Sequence, residues 1–216
     1  MAKPMNHNFY GLPCILRHDY QLSGIKEKLQ SYQKKSADSF AHFMTNVPTM
    51  GFDSFLDIGC GDDYVMKLFD KTYQDPNMKT ETGIKFGEVR GIDLYIEPED
   101  YPTVDHADWY NMSETVYKDK QFDAIFINHS LEHAANVYAL MEQVVKIHKP
   151  GGALFVAVPD GNSEFGYGIT SSTTHFSCIT EGYLSTTLQR FGYNVQISRR
   201  EFRTGAPEVW AFAIKH

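Results

Sequence analysis

Phe55-Leu-Asp57-Ile-Gly59-Cys-Gly61-Asp62-Asp63 is the stretch on which the fold turns. With Ser54 it opens as a short apolar run ending in glycine, the pattern of a buried strand. Two alternating glycines then let the main chain turn tightly and approach a neighbour closely. From Asp62 to about Tyr73, the residues Val65, Leu68, Phe69 and Tyr73 recur on one side, as in a helix. Such a helix start offers free N–H groups and a partial positive charge, which suit a phosphate or a carboxylate. A plain strand-to-helix connection without a ligand would use the same turn.

The same alternation continues on both sides. A polar stretch from Gln74 to Glu88 leads to a second strand, Val89 to Leu94. Val104 to Trp109 reads as a third strand and Phe122 to Asn128 as the fourth, the cleanest of the set. Val137 to His148 is helical, with Leu140, Val144 and Ile147 in register, and Lys149-Pro-Gly-Gly152 is expected to stop it. Ala153 to Val158 is the fifth strand. Thr180 to Phe191 is a helix stopped by Gly192. Two strands, about Asn194–Arg200 and Glu208–Ile214, flank a Thr204-Gly205 turn. Upstream, Ile25, Leu29, Tyr32, Phe40, Phe43 and Val47 fall near helical spacing, and Pro48 and Gly51 end that segment.

Strands that alternate with helices make a parallel sheet covered on both faces. The fold class is therefore α/β: a doubly wound, mostly parallel seven-stranded sheet with an antiparallel C-terminal edge hairpin and an N-terminal helical cap. Residues 1–50 form the cap segment and residues 51–216 a single structural unit. The cap either closes over a substrate or packs on the sheet for stability alone. Ligands in such sheets lie at the carboxyl ends of the central strands, here just after Ile58, Ile92, Ala107, Ile127 and Val158.

Those strand ends carry polar groups. Asp93 ends the second strand, where an acid can accept both hydroxyls of a ribose. It lies 32 residues beyond Gly61, against about 20 in a dinucleotide site, and Tyr64 stands where that site wants a third small residue. At the third strand end, Asp108 can accept from an adenine amino group and Trp109 can stack on the ring, although a lone Trp often serves the core. The fourth strand ends in Asn128, followed by His129-Ser-Leu-Glu-His133.

Taken in order, Asp57-Ile-Gly-Cys-Gly61, Gly91-Ile-Asp93, Ala107-Asp108, Phe122-Asp-Ala-Ile, His129-Ser-Leu-Glu-His133 and Lys149-Pro-Gly-Gly152 resemble the class I, Rossmann-like S-adenosylmethionine-dependent methyltransferases. The subgroup that the chain resembles acts mostly on small molecules, and Thr174-His175-Phe176 and Leu184 to Tyr193 are similar to its C-terminal pattern. The resemblance implies S-adenosylmethionine as cofactor. Gly59, Cys60 and Gly61 would lie against it, with Asp57 orienting its methionine amino end. Asp93, followed by Leu94, would hold the ribose, and Asp108 with Trp109 the adenine. Asn128 and His129 would lie beside the methionine moiety. Many members carry a third glycine where this chain has Asp63, which puts affinity in question more than function. Methyl transfer from an activated sulfonium needs mainly alignment. Where the acceptor is a hydroxyl or amine, a general base helps, and His129, His133 and His175 are the candidates. Each of the three also admits a structural reading.

Other classes fit less well. His129-Ser-Leu-Glu-His133 matches an H-x-x-E-H zinc pattern, but it begins at a strand end, so no metal site is expected. A nicotinamide dehydrogenase conflicts with the glycine and acid spacing. A non-catalytic binding module would keep the fold without the chemistry. Residues 1–50 hold six Lys/Arg against three Asp/Glu, whereas the rest hold 14 against 24, within a net charge of -7. That balance lacks the basic footprint of a nucleic-acid binder. Neither the Asn/Asp-Pro-Pro-aromatic motif of amino-methylating DNA enzymes nor a Pro-Cys nucleophile follows the fourth strand. No apolar run long enough to span a bilayer occurs, and the opening MAKPMNHNFYGLPC lacks a secretory pattern. Three scattered cysteines, Cys14, Cys60 and Cys178, read as reduced thiols of a cytoplasmic protein. The expected partner is a small-molecule substrate. The acceptor atom and the oligomeric state stay open, a homodimer being compatible.

Overall fold

The computed structural model describes residues 26–47, 52–61, 64–66, 68, 87–93, 103–163, 175–201 and 207–216, without the side chains of 26–35. Helix α1 is Lys26–Asn46. Strand β1 is Ser54–Ile58, and residues 64–66 and 68 after it are helical. Then come β2 (Glu88–Asp93), β3 (Val104–His106), β4 (Phe122–Asn128), a 3-10 turn (Leu131–His133), α2 (Val137–Ile147), β5 (His148–Pro159), α3 (Glu181–Arg190), β6 (Tyr193–Glu201) and β7 (Pro207–Lys215). The seven strands form one sheet in the order β3-β2-β1-β4-β5-β7-β6. β1 to β5 pair in parallel, while β7 is antiparallel to both β5 and β6. The expected α/β sheet with an antiparallel C-terminal hairpin is therefore present.

The hairpin inserts with its second strand inward. Val209-Trp-Ala-Phe-Ala-Ile214 is nearly continuous in apolar residues because β7 has a strand on each side. β6 alternates polar and apolar residues and takes the edge. Two boundaries differ from the sequence reading. β3 stops at His106 rather than Trp109, because Asp108 accepts the Tyr110 N–H at 2.9 Å and turns the chain away. β5 starts at His148, ahead of the Lys149-Pro-Gly-Gly152 segment expected to precede it. His148 pairs with Phe122 and Ala153 with Ala124, so the intervening residues bulge, with Gly151 at φ 75°.

Each sheet face has its own apolar layer. On one, α2 and α3 cover Leu56, Ile58, Ile125, Ile127 and Val156 through Leu140, Val144, Leu184 and Leu188. Their starts are capped by Asn136 and Thr180, whose side chains accept from Ala139 N and Tyr183 N. On the other face α1 lays Phe40, Phe43 and Val47 over Phe55, Phe126 and Phe155. The Phe43 ring lies 5.9–6.1 Å from those three rings. Complete burial of one such phenyl group contributes about 1.5–3 kcal/mol, so this half of α1 is part of the core. Ile25, Leu29 and Tyr32 lie outside the described side chains.

Candidate functional site

The carboxyl ends of β1, β2 and β4 are joined by a small set of hydrogen bonds. Leaving β1, Gly59 and Gly61 adopt φ of 74° and 67°, the left-handed region that penalises a side chain. Gly59 N donates to Ile92 O at 2.8 Å, tying the loop to β2. A Cβ on Gly59 would lie 2.2 Å from Ser130 Oγ and 3.0 Å from Trp109 Cζ2. Gly61 N donates to Asp93 Oδ2 at 3.0 Å, so the acid at the end of β2 shapes the loop that follows β1. Asp93 and Asp57 are both buried. Trp109 is 9% exposed and packs in the core layer on the α2 and α3 side of the sheet, and its indole N–H has no hydrogen-bond partner among the described residues. Asp108 sits beside it with its carboxylate on Tyr110 N. Cys60 is half-buried in the loop, outside any disulfide, with its Sγ 3.8 Å from Gly61 O. Leu94 and Asp63 lie outside the described residues.

The end of β4 supplies the second half. Asn128 donates from Nδ2 to Ser36 Oγ of α1 at 3.2 Å, while its buried Oδ1 has no hydrogen-bond partner among the described residues. The next residue, His129, adopts a left-handed φ of 50°. Its backbone N–H still reaches Ala157 O at 2.9 Å, so the turn is anchored to β5. Ser130 Oγ then bridges Gly59 O and Asn128 O, at 3.1 Å each. Ser130 thus ties the glycine loop to the β4 end.

His129 lies between two buried carboxylates. Its Nδ1 is 3.5 Å from Glu132 Oε1 and its Nε2 is 2.9 Å from Glu208 Oε1. The second contact lacks in-line hydrogen-bond geometry and acts as a charge–charge pair. Glu208, at the start of β7, is fixed by the Trp210 indole N–H at 2.9 Å. Burial disfavours a charged imidazole, but the two carboxylates outweigh it and raise the His129 pKa to about 9. Burial pushes the Glu132 carboxyl up, yet the His129 contact and the nearby His133 hold it below its ordinary value. A protonated His129 is a poor proton acceptor at neutral pH.

Glu132 and His133 ride on the 3-10 turn, and His175 comes from the segment ahead of α3. The His133 and His175 rings stand edge to face, 5.0 Å apart. Burial lowers the His175 pKa, against the pull of Glu132. The glycine loop, Asp93, Trp109, Asn128 and His129 therefore form one neighbourhood, and His133 with His175 a second one a turn away. Sequence reasoning did not select Ser36, Ser130, Glu132 or Glu208. A charge opening the apolar strand Glu208-Val-Trp-Ala-Phe-Ala was the one available signal for Glu208.

A sheet ordered 3-2-1-4-5-7-6, with a glycine loop after its first strand and acids after the next two, defines the class I, Rossmann-like methyltransferase fold. Similar structures carry that fold. A Burkholderia thailandensis 1,6-didemethyltoxoflavin-N1-methyltransferase, with bound 1,6-didemethyltoxoflavin and S-adenosylhomocysteine, superposes with a TM-score of 0.66 at 16% identity, over 100% of this chain and 92% of that one. A SAM-dependent methyltransferase from Archaeoglobus fulgidus gives 0.61 at 16%, over 94% and 100%. The Synechocystis magnesium protoporphyrin IX methyltransferase with bound SAM gives 0.56 at 12%, over 95% and 86%. No curated protein sequence matches significantly. The family model described as a methyltransferase domain matches residues 18–197, and the chain belongs to that family. Among the described residues, no helix is long and apolar enough to cross a membrane.

Proposed function

We propose that the chain transfers a methyl group from S-adenosylmethionine to a small-molecule acceptor. One observation carries the reading: the Gly59–Gly61 loop, the buried acid Asp93 and the β4 end at Asn128 are locked together by Gly61 N–Asp93 and Ser130–Gly59 contacts. Orphaned buried polar atoms fit such a ligand, because Asn128 Oδ1 and Trp109 Nε1 have no hydrogen-bond partner among the described residues. Bound there, S-adenosylmethionine supplies a methyl group already activated for displacement.

The chain's own residues then bind and align. Gly59, Cys60 and Gly61 would let the main chain approach the cofactor, with Asp57 on its amino end. Asp93, with Leu94 after it, would hold the ribose diol. Asp108 and Trp109 would hold the adenine, and Asn128 and His129 the methionine moiety. His133 and His175 would face the acceptor. Alignment of nucleophile and methyl carbon supplies most of the acceleration. Residues 1–50 would serve as a cap, a role supported by the Ser36–Asn128 hydrogen bond, and residues 51–216 as the methyltransferase unit. The Burkholderia enzyme's small heterocyclic substrate supports a small-molecule acceptor. The reduced Cys60 and Cys178 suit a cytoplasmic setting.

Calorimetry on the full chain tests the reading. One S-adenosylmethionine and one S-adenosylhomocysteine site are expected, with binding lost in Asp93→Ala. No heat from either ligand would overturn it.

A further inference from the structure

We propose that Glu132, His133 and His175 form a binding site for one divalent metal ion of the zinc type, against the sequence expectation that the H-x-x-E-H segment holds none. A carboxylate oxygen of Glu132 and one imidazole nitrogen each of His133 and His175 lie within 4.8 Å of one another. Two nitrogens bound to one tetrahedral zinc at about 2.1 Å are about 3.4 Å apart. A convergence of at most about 1.4 Å, shared between side chains that turn about their own torsions, therefore closes the set. Two imidazoles and one carboxylate are a donor set that zinc accepts, with further positions left for water or an oxygen ligand.

The site is built, not merely crowded. Glu132 is 3% exposed, and its Oε2 is buried without a hydrogen-bond partner among the described residues. The Nδ1 of His175 is likewise buried and unpartnered. His129 compensates the carboxylate on its Oε1 side, and a cation would meet the Oε2 that is left. The backbone holds the three ligands in place. Phe176 N and Ser177 N both donate to Glu132 O, at 2.9 and 3.1 Å, and Ser177 Oγ donates to Ala134 O at 2.8 Å. The segment that carries His175 is thus docked on the turn that carries the other two ligands. Behind Glu132 stands His129, and behind His129 stands Glu208. Such outer partners orient metal-binding carboxylates and imidazoles.

The H-x-x-E-H spacing places its residues differently from a zinc helix. His129 leaves β4 in a left-handed conformation and backs Glu132, while His175 supplies the second imidazole from a distant segment. This site stands independently of the methyl-donor reading.

The full chain, stripped with a chelator, is titrated with zinc chloride alone by calorimetry, and with cobalt chloride by visible absorption. One ion per chain is expected. His175→Ala and Glu132→Gln should each weaken it by at least about tenfold. Should Glu132→Gln unfold, His175→Ala and His175→Gln, judged folded by circular dichroism, decide. Absence of zinc heat, or equal affinity in wild type and the His175 variants, overturns the site. The same preparation is titrated with S-adenosylhomocysteine. Zinc uptake without that ligand upholds the metal site and sinks the donor reading, and the reverse result does the opposite.

Discussion

Gly59→Ala is the sharpest perturbation of the joint between the glycine loop and the β4 end. At φ 74° an alanine costs about 1–2 kcal/mol over glycine. Its Cβ would also fall 2.2 Å from Ser130 Oγ and 2.5 Å from Ser130 Cβ, so Ser130 must move. That displacement breaks the hydrogen bond that its one hydroxyl proton shares between Gly59 O and Asn128 O, with a net value of about 1 kcal/mol. Together these give a loss of about 2–3 kcal/mol, and for a chain of this size a fall in Tm of about 4–12 °C. Urea unfolding followed by circular dichroism measures it. The double variant Gly59→Ala/Ser130→Gly removes the collision but not the backbone strain. It should show a favourable coupling of about 1 kcal/mol in a double-mutant cycle. If Gly59→Ala stays within about 0.5 kcal/mol of wild type, or the cycle shows no coupling, the loop is not held as described.

Three further outcomes are expected. His148, fully buried against the Tyr193 hydroxyl at 2.9 Å, has its pKa lowered by burial from 6.5 to about 4. The unfolded chain therefore takes up the proton first, and stability present above pH 6.5 is lost as pH falls toward 4, by about 1.4 kcal/mol per pH unit and about 3 kcal/mol in all. Urea unfolding across that window should show this slope in wild type and a flatter one in His148→Leu; equal slopes would refute the assignment. Asp93→Asn keeps an acceptor for Gly61 N but removes the charge, so S-adenosylhomocysteine affinity measured by calorimetry should fall about ten- to a hundredfold, with stability changed by less than about 1 kcal/mol. Glu208→Gln removes one partner of a buried ion pair and should cost about 3 kcal/mol in urea unfolding, and an unaltered midpoint would show that the 2.9 Å contact with His129 contributes little.

Much of the fold was legible because its parallel strands are short apolar runs ended by polar strand-end residues. Asp57, Asp93 and Asn128 stand where strand order alone puts them, at the carboxyl ends of β1, β2 and β4 or one residue short of it. What failed were boundaries decided by single side chains. Asp108 bonds to Tyr110 N and ends β3 early. Lys149-Pro-Gly-Gly152 has the composition of a break, yet Gly151 takes a left-handed φ and the strand bulges through it. The N-terminal helix reads the same in sequence whether it covers a substrate or the sheet. The rings of Phe55, Phe126 and Phe155 under Phe43 settle the second half of α1 as core, while Ser36 reaches the β4 end. Deleting residues 1–47 therefore uncovers core aromatics and cannot probe a cap in isolation.

The candidate site was legible only where its residues are neighbours in the chain. Local pattern finds Gly59 and Gly61, because the tight turn must be made from adjacent residues. It cannot find Ser130, whose importance lies in which carbonyls its hydroxyl meets, on loops after β1 and β4. Nor can it weigh Glu132 against His133 within one motif. Glu132 looks like the exposed acid of a short turn, yet it is a buried carboxylate beside His129, which Glu208 of β7 backs, and the segment before α3 docks on its backbone carbonyl. β7 reaches that position by inserting between β5 and β6, a choice made by its unbroken apolar run rather than by anything near the motif. The chemistry at the end of β4 thus depends on a packing decision taken at the C-terminus, and sequence spacing carries no record of that dependence.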